Sequence, residues 1–203
     1  MKQFFVTGIS TGVGKTLAAA ILVEALEADY WKPVQTGEDR DNDTVAKLIS
    51  NSKTVIHKNS YTLKEPMSPH AAADLEGVHI DPNKIVEPLT KRSLVIEGAG
   101  GLLVPLNDSD TILDIIMPTY KVIVVSRHYL GSINHSLLTI QWLQTKGYDV
   151  AVLFSGDEDA YTEELIIKKT KVPVIGRIEE EAYFDKEVIK KYADKFRDAL
   201  LAL

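Results

Sequence analysis

The chain has no cysteine among its 203 residues. Disulfides, thiolate metal centres and thiol nucleophiles are therefore excluded. Basic residues are in the minority, with 23 lysines and arginines against 29 aspartates and glutamates and a formal net charge of −6. That balance argues against a duplex nucleic-acid partner, which usually needs a basic face. No stretch approaches the ~18 uninterrupted apolar residues of a membrane span. The first residues enter a strand-like pattern without a basic leader, long apolar core or cleavage site, so a cytoplasmic protein is expected. There is also no repeat, low-complexity tract or linker, and 203 residues suit a single domain with a sizeable core.

What is present is organised around Gly8-Ile9-Ser10-Thr11-Gly12-Val13-Gly14-Lys15-Thr16. It follows the apolar Phe4-Phe5-Val6 and precedes a helical run from Leu17 to Leu26. Strand, glycine-rich turn, helix is the context of a phosphate-binding loop. Glycines let successive N–H groups face an anion, the helix adds its positive end, and a lysine reaches the outer phosphates. Thr16 then offers a hydroxyl to Mg²⁺. Five residues separate Gly8 and Gly14, one more than in the usual motif.

Apolar runs suggest strands near 3–7, 30–34, 93–97, 121–126, 149–154 and 172–176, with helices at 15–28, 43–50, 82–91, 133–146, 160–170 and 185–203. Alternation of this kind predicts an α/β fold with a mostly parallel sheet flanked by helices on both faces. Residues 51–81 fit least well and read as a long irregular segment. The remaining motifs follow predicted strands, where ligands bind in such sheets. Lys32, in Lys32-Pro33-Val34-Gln35-Thr36-Gly37, reads equally as a cation for a transferred phosphoryl group or as a surface lysine lying over the sheet. In Asp39-Arg40-Asp41-Asn42-Asp43, Asp41 and Asp43 both have the charge for a metal site, and Asp43 suits a helix N-cap. The strand Ser93-Leu94-Val95-Ile96-Glu97 ends in a carboxylate followed by Gly98-Ala99-Gly100-Gly101, the second half of a P-loop metal site. Ser132 reads as the cap of a helix containing Ile133 and Asn134. The five histidines show no zinc-type spacing.

Taken in order, these motifs, with Ser68-Pro69-His70 and Leu130 to His135, resemble the ATP-dependent dethiobiotin synthetase family. The extra loop residue agrees with that family's spacing. The resemblance implies a single P-loop NTPase domain over residues 1–203 and a reaction in biotin synthesis. An amine of 7,8-diaminononanoate takes up CO₂, ATP phosphorylates the carbamate, and the second amine closes the ureido ring. It further implies catalytic roles for Lys15, Lys32 and Thr11, and nucleotide contacts from Gly12, Val13, Gly14, Lys15, Thr16, Leu17, Asp43, Glu97, Gly98, Ala99 and Gly100. Thr16, Asp43 and Glu97 would hold Mg²⁺, and Thr36 would contact substrate. Ser132, Ile133 and Asn134 would bind the substrate carboxylate from a neighbouring subunit, making the protein a homodimer. Two positions depart from the family pattern: Gly156 stands where an adenine-reading asparagine is common, and Glu179 where a proline often follows Gly-x-Ile. Relaxed base selectivity is the consequence expected. Two other classes on related loops fit less well. Partition-type ATPases carry a lysine where this chain has Ser10, and cobyrinate-type amidating enzymes carry a glutaminase domain with a cysteine.

Overall fold

A computed structural model describes residues 1–203. In chain order it contains β1 (Gln3–Gly8), α1 (Lys15–Leu26), β2 (Asp29–Trp31), β3 (Val34–Thr36), α2 (Asp41–Leu48), β4 (Tyr61–Leu63) and α3 (Pro69–Glu76). The second half holds β5 (Leu94–Gly101), β6 (Lys121–Arg127), α4 (Ser132–Thr145), β7 (Asp149–Ser155), α5 (Ala160–Thr170), β8 (Val174–Ile178) and α6 (Lys186–Ala202). Six strands form one sheet in the order β2-β5-β1-β6-β7-β8. Every pairing in it is parallel.

Successive strand residues face opposite sides of a sheet, and Phe4, Phe5, Val6 and Thr7 are all buried. Both faces of β1 are therefore covered, as for the central strand of a parallel sheet. Helix α1 is buried nearly all round, with Ala18 to Val23 inaccessible. Its three consecutive alanines let the helix lie close to its neighbours, α6 among them. Helix α6 has a one-sided apolar stripe (Ile189, Tyr192, Ala193, Phe196, Leu200) and is capped by Asp185, which accepts from the Glu187 and Val188 amides.

The chain runs from β1 to β2 and β5 on one side and later to β6 on the other. The switch point thus lies at the C-terminal end of β1, where the glycine-rich loop begins.

Three expectations need correction. The predicted strand over 30–34 is divided at Lys32-Pro33: β2 joins the main sheet, and β3 pairs with β4 in a separate two-stranded sheet. Pro33 has no N–H to continue a ladder, so the chain turns there. The predicted helix at 82–91 is only a 3₁₀ turn, Pro82–Lys84. Pro88 removes a donor and disfavours helical geometry at Glu87. Within 51–81, β4 and α3 take up 11 of the 31 residues expected to be irregular.

Candidate active site

The loop between β1 and α1 is shaped by its glycines. Gly12 and Gly14 have φ of 73° and 91°, a region that favours residues without a Cβ. A Cβ on Gly8 would lie 2.6 Å from Val13 and 2.9 Å from the Ser10 carbonyl oxygen. Ser155, at the end of β7, donates its hydroxyl to the Val13 carbonyl at 2.8 Å and ties the loop to the sheet. Lys15 opens α1, and its Nζ donates to the Ser10 carbonyl at 3.1 Å. Burial, partly offset by Glu97, lowers the Lys15 pKa to about 8.

Four side chains from separate parts of the chain meet beside this loop. Thr16 Oγ1 lies 2.9 Å from Asp41 Oδ1 and 3.0 Å from Glu97 Oε1. Lys32 Nζ lies 2.5 Å from Asp41 Oδ2 and 3.1 Å from Glu97 Oε1. Lys32 is 4% exposed and Glu97 1%, which removes the surface reading of the lysine. Burial opposes the charge on Lys32, but Glu97 and Asp41 together raise its pKa above the ordinary value. On the far side of Glu97, the Tyr30 hydroxyl donates to Oε2 at 2.8 Å. Burial, reinforced by Glu97, raises the Tyr30 pKa well above the ordinary tyrosine value.

The carboxylate that meets Thr16 is Asp41, not Asp43. Helix α2 begins at Asp41 with Arg40 at its N-cap, so Asp43 is not the cap, and its side chain is exposed. Gln35 sets this start: its Oε1 accepts from the Asp41 amide, and its Nε2 donates to the Thr36 and Asp39 carbonyls. Two positions along a helix turn a side chain by about 200°, which carries Asp43 away from the loop. The Lys32–Gly37 motif contained the signal for Gln35, since an amide can brace a tight turn with both donor and acceptor.

A cavity of about 460 Å³ collects Thr11, Gly12, Gly14, Lys15, Thr16, Leu17, Lys32, Thr36, Glu97, Ala99 and Gly100, together with Gln35, Asp39 and Asp41. Val13 is buried beneath the loop, and Gly98 packs against Phe5 and Ile112; neither lines the cavity. Thr11 is also a wall of a second, more apolar groove of about 530 Å³, formed by Leu102, Leu103, Val104, Leu138 and Trp142 among others. Ser132, Ile133 and Asn134 lie in a different depression, with His128 and Gly131. Gly131, with φ of 104°, holds the N-cap position of α4, so Ser132 starts the helix without capping it. Gly156 lines a small recess with Arg127, Glu179 and Glu180, and Arg127 pairs with Glu180 at 2.5 Å beside it.

The donor set of Thr16, Asp41 and Glu97 is one hydroxyl and two carboxylates. Such hard oxygen donors suit Mg²⁺, which usually completes its shell with phosphate oxygens and water. The residues present fit a nucleotide-bound magnesium ion.

Residues 2–188 match the model of a family described as an AAA domain. The chain is 54% identical over 202 residues to a protein of Christiangramia forsetii and 47% identical over 202 residues to one of Cytophaga hutchinsonii, with 98% of each chain covered in both cases. An Agrobacterium fabrum protein is 45% identical over 180 residues, covering 87% of this chain and 85% of its own. All three are named ATP-dependent dethiobiotin synthetase. Among solved structures, a plasmid partition protein of Borrelia burgdorferi has a TM-score of 0.61 at 15% identity, covering 100% of this chain and 99% of its own. The MinC:MinD cell division complex of Aquifex aeolicus gives 0.60 at 16%, covering 100% and 97%. At those identities the likeness is one of fold alone. With the phosphate loop, Lys32 and Glu97 in place and relatives matching almost end to end, the chain belongs to the ATP-dependent dethiobiotin synthetase family.

Proposed function

We propose that this chain is an ATP-dependent carbon–nitrogen ligase of biotin synthesis, which carboxylates 7,8-diaminononanoate and closes the ureido ring of dethiobiotin. The observation that carries this reading is the shared wall at Thr11 between a charged phosphate cavity and an apolar groove. An aliphatic diamine needs both: apolar walls for its methylenes and a polar end where its amines react.

One amine combines with CO₂ to form a carbamate. The carbamate oxygen attacks the γ-phosphorus of ATP and ADP departs. The second amine then attacks the carbonyl carbon of the mixed anhydride, and phosphate leaves with the bridging oxygen. Negative charge gathers where carbamate and γ-phosphate meet, so the chain's part is chiefly electrostatic. Lys15 and Lys32 bring two ammonium groups to one cavity. The family resemblance assigns Lys32 to the carbamate side. Thr11 and Thr36 contact the diamine or carbamate. Thr16, Asp41 and Glu97 would hold magnesium, which supplies charge neutralisation to the phosphates when bound with ATP.

The first turn of α4 offers backbone N–H groups suited to a carboxylate. It lines a depression other than the phosphate cavity; the family resemblance assigns it to the substrate of a neighbouring copy, which would make the working unit a homodimer. At the base recess Gly156 has no side chain with which to read adenine. Turnover with GTP and CTP is therefore expected within roughly tenfold of ATP, a gap of about 1.4 kcal/mol; a strong ATP-only preference contradicts this.

The test is to incubate the protein with 7,8-diaminononanoate, bicarbonate and MgATP. Dethiobiotin formed in step with ADP supports the reading, whereas ATP hydrolysis without ring closure counts against it.

A further inference from the structure

Glu97 has two carboxylate oxygens with different tasks. Oε1 meets both Thr16 and Lys32, while Oε2 meets the phenol of Tyr30 at 2.8 Å. The terminal torsion of a glutamate is broad and offers little orientation of its own. Its partners must set it. A free Oε2 would let the carboxylate turn both oxygens toward the Lys32 ammonium and leave Thr16.

Tyr30 is built to prevent that. Register places it opposite Val95, so Tyr30 and Glu97, two residues after Val95, share one face of the sheet. Its ring is fully buried. Its backbone is held on the side away from β5 as well: the Tyr30 amide donates to the Val55 carbonyl at 3.0 Å, and its carbonyl accepts from the His57 amide at 2.8 Å. An aromatic donor fixed at both ends of its residue is a rigid support for a ligand.

We infer that Tyr30 is a positioning residue for the metal–nucleotide site, holding Glu97 by Oε2 so that only Oε1 faces Thr16 and Lys32. This rests on the reading of Glu97 as a magnesium-side carboxylate. The hydroxyl acts through Glu97 and touches no substrate. Removing it should loosen metal binding and slow turnover while leaving diamine binding alone.

The experiment compares Tyr30→Phe, Glu97→Gln and the double variant with the parent protein. Mn²⁺ binding in the presence of ADP is followed by electron paramagnetic resonance, beside thermal melting and the kcat and KM for ATP and diamine. Tyr30→Phe is expected to fold, to weaken Mn²⁺ affinity about tenfold and to lower kcat with the diamine KM unchanged. In the Glu97→Gln background the same change should add little, because the two effects share one route. Trp31→Phe, on the same strand but bonded through its indole to the Lys58 carbonyl, should leave Mn²⁺ affinity alone. Unchanged Mn²⁺ affinity in Tyr30→Phe, or full additivity with Glu97→Gln, overturns the inference. So does a Tyr30→Phe chain that cannot fold, since it would assign the hydroxyl to stability. The Mn²⁺ measurement needs no diamine, so failure of the proposed reaction is read separately, as loss of ring closure with metal binding intact.

Discussion

At the residue scale, the site stores unfavourable electrostatics in Lys15. Burial lowers its pKa from 10.5 to about 8, equivalent to about 3 kcal/mol of folding free energy given up at neutral pH. The folded-state value is the lower one, so the penalty is present in full below pH 8. It disappears as pH rises through 8 toward 10.5, where the unfolded chain also loses the proton. Lys15→Met should therefore melt several degrees above the parent at pH 7, lose that advantage near pH 10.5, and have almost no turnover. Paired thermal melts at the two pH values check the sign. The aspartates provide a second comparison. Asp41→Asn should cut turnover by roughly tenfold or more, and Asp43→Asn should stay within about twofold of the parent; steady-state assays of both decide which carboxylate serves the site. Lys15, Thr16 and Glu97 were legible as candidates because short motifs tie each of them to a strand end or helix start, whereas Lys32 read equally as a surface lysine and only the family resemblance assigned it a role. Asp41 was not singled out, because the choice between two acidic residues depends on where α2 begins, and a side chain six positions earlier decides that.

At the element scale, the long strands and helices were readable from pattern alone, since strands buried on both faces are apolar throughout. The three-residue strands β3 and β4 were not, because each exists only through its pairing with the other. Helix α6 is docked by shape as much as by its stripe. Gly176 in β8 has φ of 152°, and a Cβ there would lie 2.4 Å from the Phe196 ring. Gly176→Ala should displace α6 and cost about 2 kcal/mol or more by overpacking. Urea unfolding should show a lower midpoint with an unchanged slope.

At the scale of the whole molecule, two features bear on the proposed homodimer. The α4 turn lines a depression other than the phosphate cavity, and Leu103, Leu138 and Trp142 are exposed around the apolar groove. Trp142→Asp should shift the protein toward monomer in sedimentation velocity and raise the KM for diamine, with nucleotide affinity nearly unchanged. A monomeric parent protein with full activity would contradict the shared site. Composition carries no signal for the proposed homodimer, because an interface patch differs little from other surface in its content of apolar residues.

The mechanism makes one demand that isotopes meet directly. If the carbamate attacks ATP, an oxygen that entered as CO₂ must leave on phosphate. With ¹⁸O-labelled CO₂ in unlabelled water and rapid quenching, the account predicts one labelled oxygen in each inorganic phosphate released with dethiobiotin. Dethiobiotin formed with unlabelled phosphate would contradict it.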